Sequence, residues 1–357
     1  MTGPSSMADP GLNTDSRLVA FYRDRTVLIT GSTGFLGYWT VALLRFCGAR
    51  PIGLSRRDID CGYRIFAADV RDAQAVTAAV KASKATVVLH LAAQARTRAG
   101  QARSTFETNI LGTLNVVEAA SLVGIPATVV ASSSRDPDMP TTDAARRDPY
   151  NASKLAAEHI VADYHAEALL ADPPRGVALA RPAVLVGGAD VSSGRLIPDM
   201  VARLRAGQEA QPDMPILFRP WQHPLDAAAG MLWLAARLTE QPQGLAPTYN
   251  FGLAAHCPRM SAGTLANRLA ALWCASAHAD ADVPAREGFW LDDRRARVDL
   301  GWSACWSLDT ALGATVEWYR ANATGPRAAL TEAAGQVLRY CRDAAEAQIA
   351  WAAPASA

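Results

Sequence analysis

The sequence predicts an α/β fold: a doubly wound parallel sheet with a smaller C-terminal lobe. Short β-branched runs alternate with amphipathic segments from Thr26 to Val186, and a glycine-rich turn follows the first of those runs. After Gly187 the alternation gives way to a stretch rich in Pro and Trp.

The elements follow in order. TVLIT at 26–30 precedes a helix near 36–47, RPIGL at 50–54, YRIFA at 63–67, a helix near 72–83 and TVVLHLA at 86–92. A helix near 104–123, ATVVAS at 127–132, a long helix from Pro149 to about Leu170 and GVALARPAVLV at 176–186 complete the rhythm. Runs apolar on both faces fit strands covered by helices on both sides. Beyond Gly187 shorter helices and isolated strands are expected. The division is a flexible extension at 1–20, a dinucleotide-binding domain at 21–186, a substrate-binding lobe at 187–345 with returns to the sheet left open, and a tail at 346–357.

A chain of 357 residues, half of them apolar, buries a large core without help from metal or disulfide. Its 35 Lys and Arg against 34 Asp and Glu exclude the strongly basic balance of a nucleic-acid binder. Six cysteines without a C-x-x-C pair read as small hydrophobes in a reducing compartment and exclude a zinc site. The first twenty residues carry no basic patch followed by an apolar run, and residues 227–236 fall short of the about 20 that span a bilayer. The expectation is a cytoplasmic protein with a small-molecule partner, no nucleic acid and no membrane.

The turn after the first strand reads Gly31-Ser32-Thr33-Gly34-Phe35-Leu36-Gly37 and opens a helix. Gly31 suits the tight turn, Gly34 the approach of a backbone to a pyrophosphate, and Gly37 close helix–strand packing. The anion then sits at a helix N-terminus, as in the Rossmann fold. The second strand ends in Leu54-Ser55-Arg56-Arg57, with no acid for ribose hydroxyls, so the reading leans to NADP while NAD stays open. Asp69, followed by Val70, is placed to accept from an adenine amino group, and Leu91-Ala92-Ala93 lets backbone approach the cofactor.

Tyr150 and Lys154 stand four residues apart, on one face of the long helix. An ammonium beside a phenol favours phenolate and fits the phenol to exchange a proton with a substrate hydroxyl; the same lysine can hold a ribose. The run Ser132-Ser133-Ser134 ends a strand at the sheet's carboxyl edge, with Ser134 the favoured partner of the reacting hydroxyl and Ser133 the alternative. No G-x-S-x-G elbow surrounds these serines, which argues against a serine nucleophile.

These motifs make the chain resemble the extended short-chain dehydrogenase/reductase, or NAD-dependent epimerase/dehydratase, family, and within it the CDP-glucose 4,6-dehydratase group. The resemblance runs from Phe21 to Tyr340. It rests further on HLAAQ at 90–94, TFETNILGTLNVVEAA at 105–120, DPYNASK at 148–154, RLIPD at 195–199, RPWQH at 219–223, LDDRRARVDLGW at 291–302 and TVEWYRA at 315–321. It implies oxidation of a sugar carbinol on a nucleotide sugar by hydride transfer, with water loss and hydride return in the dehydratases. Asn109, Ser132 and Arg181 join the implied cofactor set. Gln94, Arg98, Arg135, Val184, Arg195 and Arg219 form the implied substrate set, with Arg219 on the pyrophosphate. It also implies a homodimer joined by a four-helix bundle, with Ile110, Leu114, Val117 and Val123 facing Leu155, Ile160 and Val161.

The departures fall on the substrate side. Where the dehydratases carry an Asp and then a Glu or Lys after the catalytic Ser or Thr, this chain has Arg135 and Asp136 counted from Ser134, or Ser134 and Arg135 counted from Ser133, and neither register supplies the acid followed by its partner; arginine is no proton donor, and Asp136 is left as a possible acid or base. Val184 stands where the family has an Asn. Three functions are open: an epimerase-like or altered dehydratase enzyme, an NADP-dependent reductase or dehydrogenase of a natural-product pathway, and a cofactor-binding scaffold without catalysis.

Overall fold

A computed structural model describes residues 15–57, 59–95, 101–134, 148–192, 194–252, 260–274, 283, 287–288, 290–321 and 326–355. The strands are β1 (Thr26–Thr30), β2 (Arg50–Ser55), β3 (Ile65–Ala67), β4 (Val87–His90), β5 (Ala127–Ala131), β6 (Gly176–Pro182), β7 (Val184–Leu185), β8 (Leu217–Phe218), β9 (Trp221–Gln222), β10 (Thr248–Phe251) and β11 (Glu287–Gly288). Seven of them form one parallel sheet in the order β10-β6-β5-β4-β1-β2-β3. The order reverses at β1, and open α/β sheets bind ligands outside the carboxyl ends of their strands at such a point.

The helices are α1 (Arg17–Tyr22), α2 (Phe35–Phe46), α3 (Ala73–Ser83), α4 (Ala102–Phe106), α5 (Gly112–Val123), α6 (Pro149–Leu169), α7 (Leu196–Arg205), α8 (Pro224–Glu240), α9 (Ala262–Cys274), α10 (Arg294–Leu300), α11 (Leu308–Arg320) and α12 (Pro326–Glu346). A π-helical turn, Glu107–Leu111, joins α4 to α5. Strand alternation divides the core. Val27 and Ile29 of β1 pack under α2 and α8, whereas Leu28 faces the cluster holding Val76 of α3 and Val116 of α5. Val130, Val177 and Leu179 meet Val161 of α6. This double cover is what the apolar runs required.

The structure differs from the sequence expectation in three places. The run 176–186 is not one strand: after Pro182 the chain leaves the sheet, and Val184 and Leu185 pair with Trp221 and Gln222. Proline has no N–H to continue a ladder. Helices beyond Gly187 are not all short, because every residue of α8 from Pro224 to Ala236 is buried. A helix wrapped on all sides loses the amphipathic period by which helices are read. Of the expected extension at 1–20, residues 1–14 lie outside the described residues, and the remainder is tied down. Leu18 N–H donates to Trp351 O at 3.0 Å, Arg17 N–H to Ala353 O at 2.9 Å and Ala355 N–H to Asp15 O at 2.7 Å, so residues 15–20 and the stretch after α12 hold each other.

Gly230 of α8 faces β10: a Cβ there would lie 2.5 Å from Phe251 Cδ1 and 2.9 Å from Trp302 Nε1. In an open helix, Gly→Ala gains about 0.8–1 kcal/mol from propensity. Here overpacking is expected to win, and Gly230→Ala should lose roughly 1–3 kcal/mol in urea unfolding. A stabilised variant would show that α8 has room to shift.

Candidate active site

The glycine turn is built by close backbone approach. Gly31 has φ +70°, in the left-handed region, and a Cβ on it would lie 2.8 Å from Ala92 Cα and N. A Cβ on Gly37 would lie 2.2 Å from Gly31 O. Only glycine lets α2 start directly over the end of β1. Gly34 caps α2 without a side-chain hydrogen bond, and the first turn holds no acid. The unpartnered N–H groups of that turn therefore present an anion site.

A cleft of about 470 Å³ opens there, lined by Gly31, Thr33 and Gly34, by Leu54, Ser55 and Arg56, by Asp69 and Val70, and by Leu91, Ala92, Ala93 and Gln94. Gln101 and Thr108, which the sequence reading missed, complete it. Its shape and its donor set fit a dinucleotide. At its far end Asp69 Oδ1 accepts from Arg71 N–H and Nε, and Oδ2 from Nη2 at 2.8 Å. Arg71, with a smaller contribution from Arg56, holds the Asp69 carboxyl below the usual range.

Polar chains behind the cleft fix its wall. Ala92 N–H donates to Thr30 Oγ1, which lies 2.7 Å from His90 Nδ1; His90 Nε2 lies 3.1 Å from Thr113 Oγ1, which donates to Asn109 O. That last donation leaves Thr113 only an acceptor for His90, so Nε2 carries the proton and Nδ1 accepts from Thr30. Burial pushes His90 down to about 3 and keeps it neutral. Asn109 Oδ1 accepts from Gln94 N–H, and its Nδ2 donates to Gln94 O and Ser153 Oγ. Both amide hydrogens of Asn109 are thus committed within the protein.

At α6, Asp148 accepts from Tyr150 N–H at 3.1 Å, and Pro149 opens the helix. Lys154 is buried and donates from Nζ to Ala131 O at 2.8 Å. Burial lowers it from the ordinary 10.5 to about 8, against the pull of Glu158. Glu158, one turn further on, accepts from Ser132 Oγ at 2.6 Å and pairs through both oxygens with Arg181. The structure therefore joins Ser132 and Arg181 through a carboxylate that the sequence reading overlooked, although Glu158 repeats the four-residue spacing from Lys154.

Burial raises the Tyr150 phenol; the Arg195 guanidinium lowers it, Asp148 raises it, and a hydrogen bond with the Ser133 side chain lowers it. Arg195 is a cation acting on the phenol that the spacing of Tyr150 and Lys154 did not reveal. Ser133, the alternative of the two serines, is the one on the phenol. A second cavity of about 240 Å³ is bounded by Phe35, Val184, Leu185, Asp190, Arg195, Leu196, Ile197 and Trp221. Arg219 is half-buried between β8 and β9, two residues before Trp221. Arg98, Arg135 and Asp136 lie outside the described residues. Among the described residues no group of His, Cys, Asp and Glu is placed to hold a metal, and no helix is long and apolar enough to cross a membrane.

Fold and cleft together define a Rossmann-type dinucleotide-binding protein. The model of the NAD dependent epimerase/dehydratase family matches residues 27–252, and the chain belongs to that family. It is 28% identical to CDP-glucose 4,6-dehydratase of Salmonella typhimurium over 84% of this chain and 92% of that protein. It is 24% identical to UDP-glucose 4-epimerase of Yersinia pestis over 84% and 98%. The solved structure of MoeE5 in complex with UDP-glucose and NAD is 25% identical, with a TM-score of 0.67 over 83% of this chain and 99% of that one. WbmF of Bordetella bronchiseptica, at 20% identity and a TM-score of 0.69 over 89% and 99%, shares the fold.

Lys154 generates a pH signature. Between about pH 8 and 10.5 the unfolded chain keeps a proton that the folded chain has released. Stability must then rise with pH across this window. Urea unfolding of the wild type relative to Lys154→Met should show that rise, and a flat difference would place the lysine in a wetter site.

Proposed function

We propose that the chain is an NAD(P)-dependent enzyme that oxidises a carbinol of a nucleotide sugar and returns the hydride, as an epimerase-like enzyme or an altered dehydratase. The observation that carries the reading is the convergence of Ser133, Tyr150 and Lys154 at the carboxyl end of β5, beside the cleft of Gly31, Gly34 and Ala92. The nicotinamide, when bound, accepts and returns the hydride. Ser133 orients the carbinol hydroxyl, and Tyr150 takes its proton as the carbon–oxygen bond becomes a carbonyl, then gives it back. Arg195 favours the phenolate, and Lys154, whose ammonium is costly in its buried site, gains by binding ribose hydroxyls. The lobe at 187–345 supplies the substrate side, with Arg219 on the pyrophosphate.

A second reading, an NADP-dependent reductase, has support of its own. Arg56 is exposed on the cleft rim with no acid at the end of β2, and the chain is 30% identical over 217 residues to dTDP-4-dehydro-6-deoxy-D-allose reductase of Streptomyces bikiniensis. Mass spectrometry of small molecules released on denaturation separates the two: tightly held NAD marks the recycling enzyme, NADP(H) the reductase. Under either, Tyr150→Phe should cut turnover by about 10²–10⁴-fold without loss of cofactor. Wild-type turnover in that variant would end both readings.

We further propose a homodimer through α4, α5 and α6. Val117 and Val161, expected at this interface, are fully buried against their own sheet, whereas Leu111 and Leu122, eleven residues apart on one helical face, are 48% and 73% exposed. Light scattering should give a dimer mass for the wild type and a monomer mass for Leu111→Glu/Leu122→Glu. A monomeric wild type would refute the interface.

A further inference from the structure

The 240 Å³ cavity between the glycine turn and β9 has walls with almost no hydrogen-bonding group left to offer. The side chains of Phe35, Val184, Leu185, Leu196 and Ile197 are hydrocarbon. Trp221 adds an indole whose one donor is spent, because Nε1–H donates to Met260 O at 2.8 Å. Backbone along β7 is engaged too: Val184 N–H donates to Pro220 O at 2.9 Å and Val186 N–H to Gln222 O at 2.8 Å.

Polar capacity is confined to one end. There the buried Asp190 accepts from Ser192 N–H at 3.2 Å and from Arg195 Nη1 at 3.3 Å. Arg195 is also the cation that acts on Tyr150. Arg195, which lines the cavity, is thus near enough to the Tyr150 phenol to act on its charge. A sugar hydroxyl set against these side chains would give up water and find no side-chain partner away from Asp190 and Arg195, whereas a methyl group would lose nothing and gain contact.

Resting on the nucleotide-sugar reading above, in its epimerase-like form because a 6-deoxy sugar has no C6 hydroxyl to eliminate, we propose that this cavity receives a deoxygenated arm of the sugar, and that the substrate is a nucleoside-diphosphate 6-deoxyhexose rather than its hydroxylated counterpart. With the C4 carbinol at Tyr150, the exocyclic carbon on neighbouring C5 is the arm that projects from the ring and becomes a methyl group once its oxygen is gone. Such a substrate has to be supplied by a reaction that has already removed the C6 oxygen. Val184 is then a specificity-determining residue: an amide at this position would offer the C6 hydroxyl a partner.

The test is calorimetric titration of the Tyr150→Phe protein loaded with NAD, in which turnover is blocked. Glucose and 6-deoxyglucose are offered on UDP, CDP and dTDP, next to the free nucleotides, and the affinity ratio is taken within the base that binds. The 6-deoxy compound should bind about tenfold tighter, since a site without a hydroxyl partner discriminates on that scale. Adding Val184→Asn should narrow the ratio to about threefold or less, and the ratio in Tyr150→Phe alone decides the matter if that double variant does not fold. Equal or tighter binding of the glucose compound, with both sugars improving on the free nucleotide, overturns the cavity assignment and leaves the nucleotide-sugar reading standing. No gain from either sugar over the free nucleotide, on any base, sinks both.

Discussion

The passage of α2 over the end of β1 is the contact on which the rest depends. With a Cβ on Gly37 only 2.2 Å from Gly31 O, the helix cannot sit where it does unless that Cβ is missing. The constraint fixes the open helix end at the point where strand order reverses, and it also aims the rest of α2. Trp39 Nε1–H then reaches Gly188 O at 2.9 Å, and Tyr38 Oη accepts from Trp318 Nε1–H at 3.1 Å. One helix thus sets the anion site and anchors the segments beyond Gly187 against it.

Behind the cleft wall, four buried polar side chains are joined in one chain. Thr30, His90, Thr113 and Asn109 hand hydrogen bonds along a line from Ala92 to Gln94 and Ser153, and the histidine stays neutral because burial opposes its charge. An unpaired member would cost about 1–3 kcal/mol, which makes the chain a rigid frame for the backbone on that wall. Glu158 plays the same part lower down, where Ser132 and Arg181 satisfy its carboxylate next to Lys154. The lysine is left with a carbonyl and a carboxylate already engaged by Ser132 and Arg181, a setting in which its charge is costly.

The polar network and the second cavity are separable in this chain. The polar groups gather at β1, β4, β5 and α6, whereas the side chains around the cavity are hydrocarbon apart from Trp221 and the Asp190–Arg195 pair. That apolar lining is what makes the hydroxyl pattern of the proposed sugar testable.

Local rules made much of this legible in the sequence. The βα alternation, the three glycines and the spacing of Tyr150 and Lys154 depend on neighbours within a few residues, so periodicity and turn chemistry reveal them. The choice of Ser133 over Ser134 at the phenol, the approach of Arg195 and the role of Glu158 depend on how β5, β6, α6 and the segment before α7 meet, and no spacing encodes that. The same holds for α8, whose all-round burial erased its period, for the strand that parts at Pro182, and for the chain ends that clasp each other. By itself the sequence determined the fold class and the cofactor turn, because glycine geometry and hydrophobic period are local. Only the tertiary structure decided that Arg195 acts on the phenol and which side chains line the second cavity, because those contacts join residues that are distant along the chain.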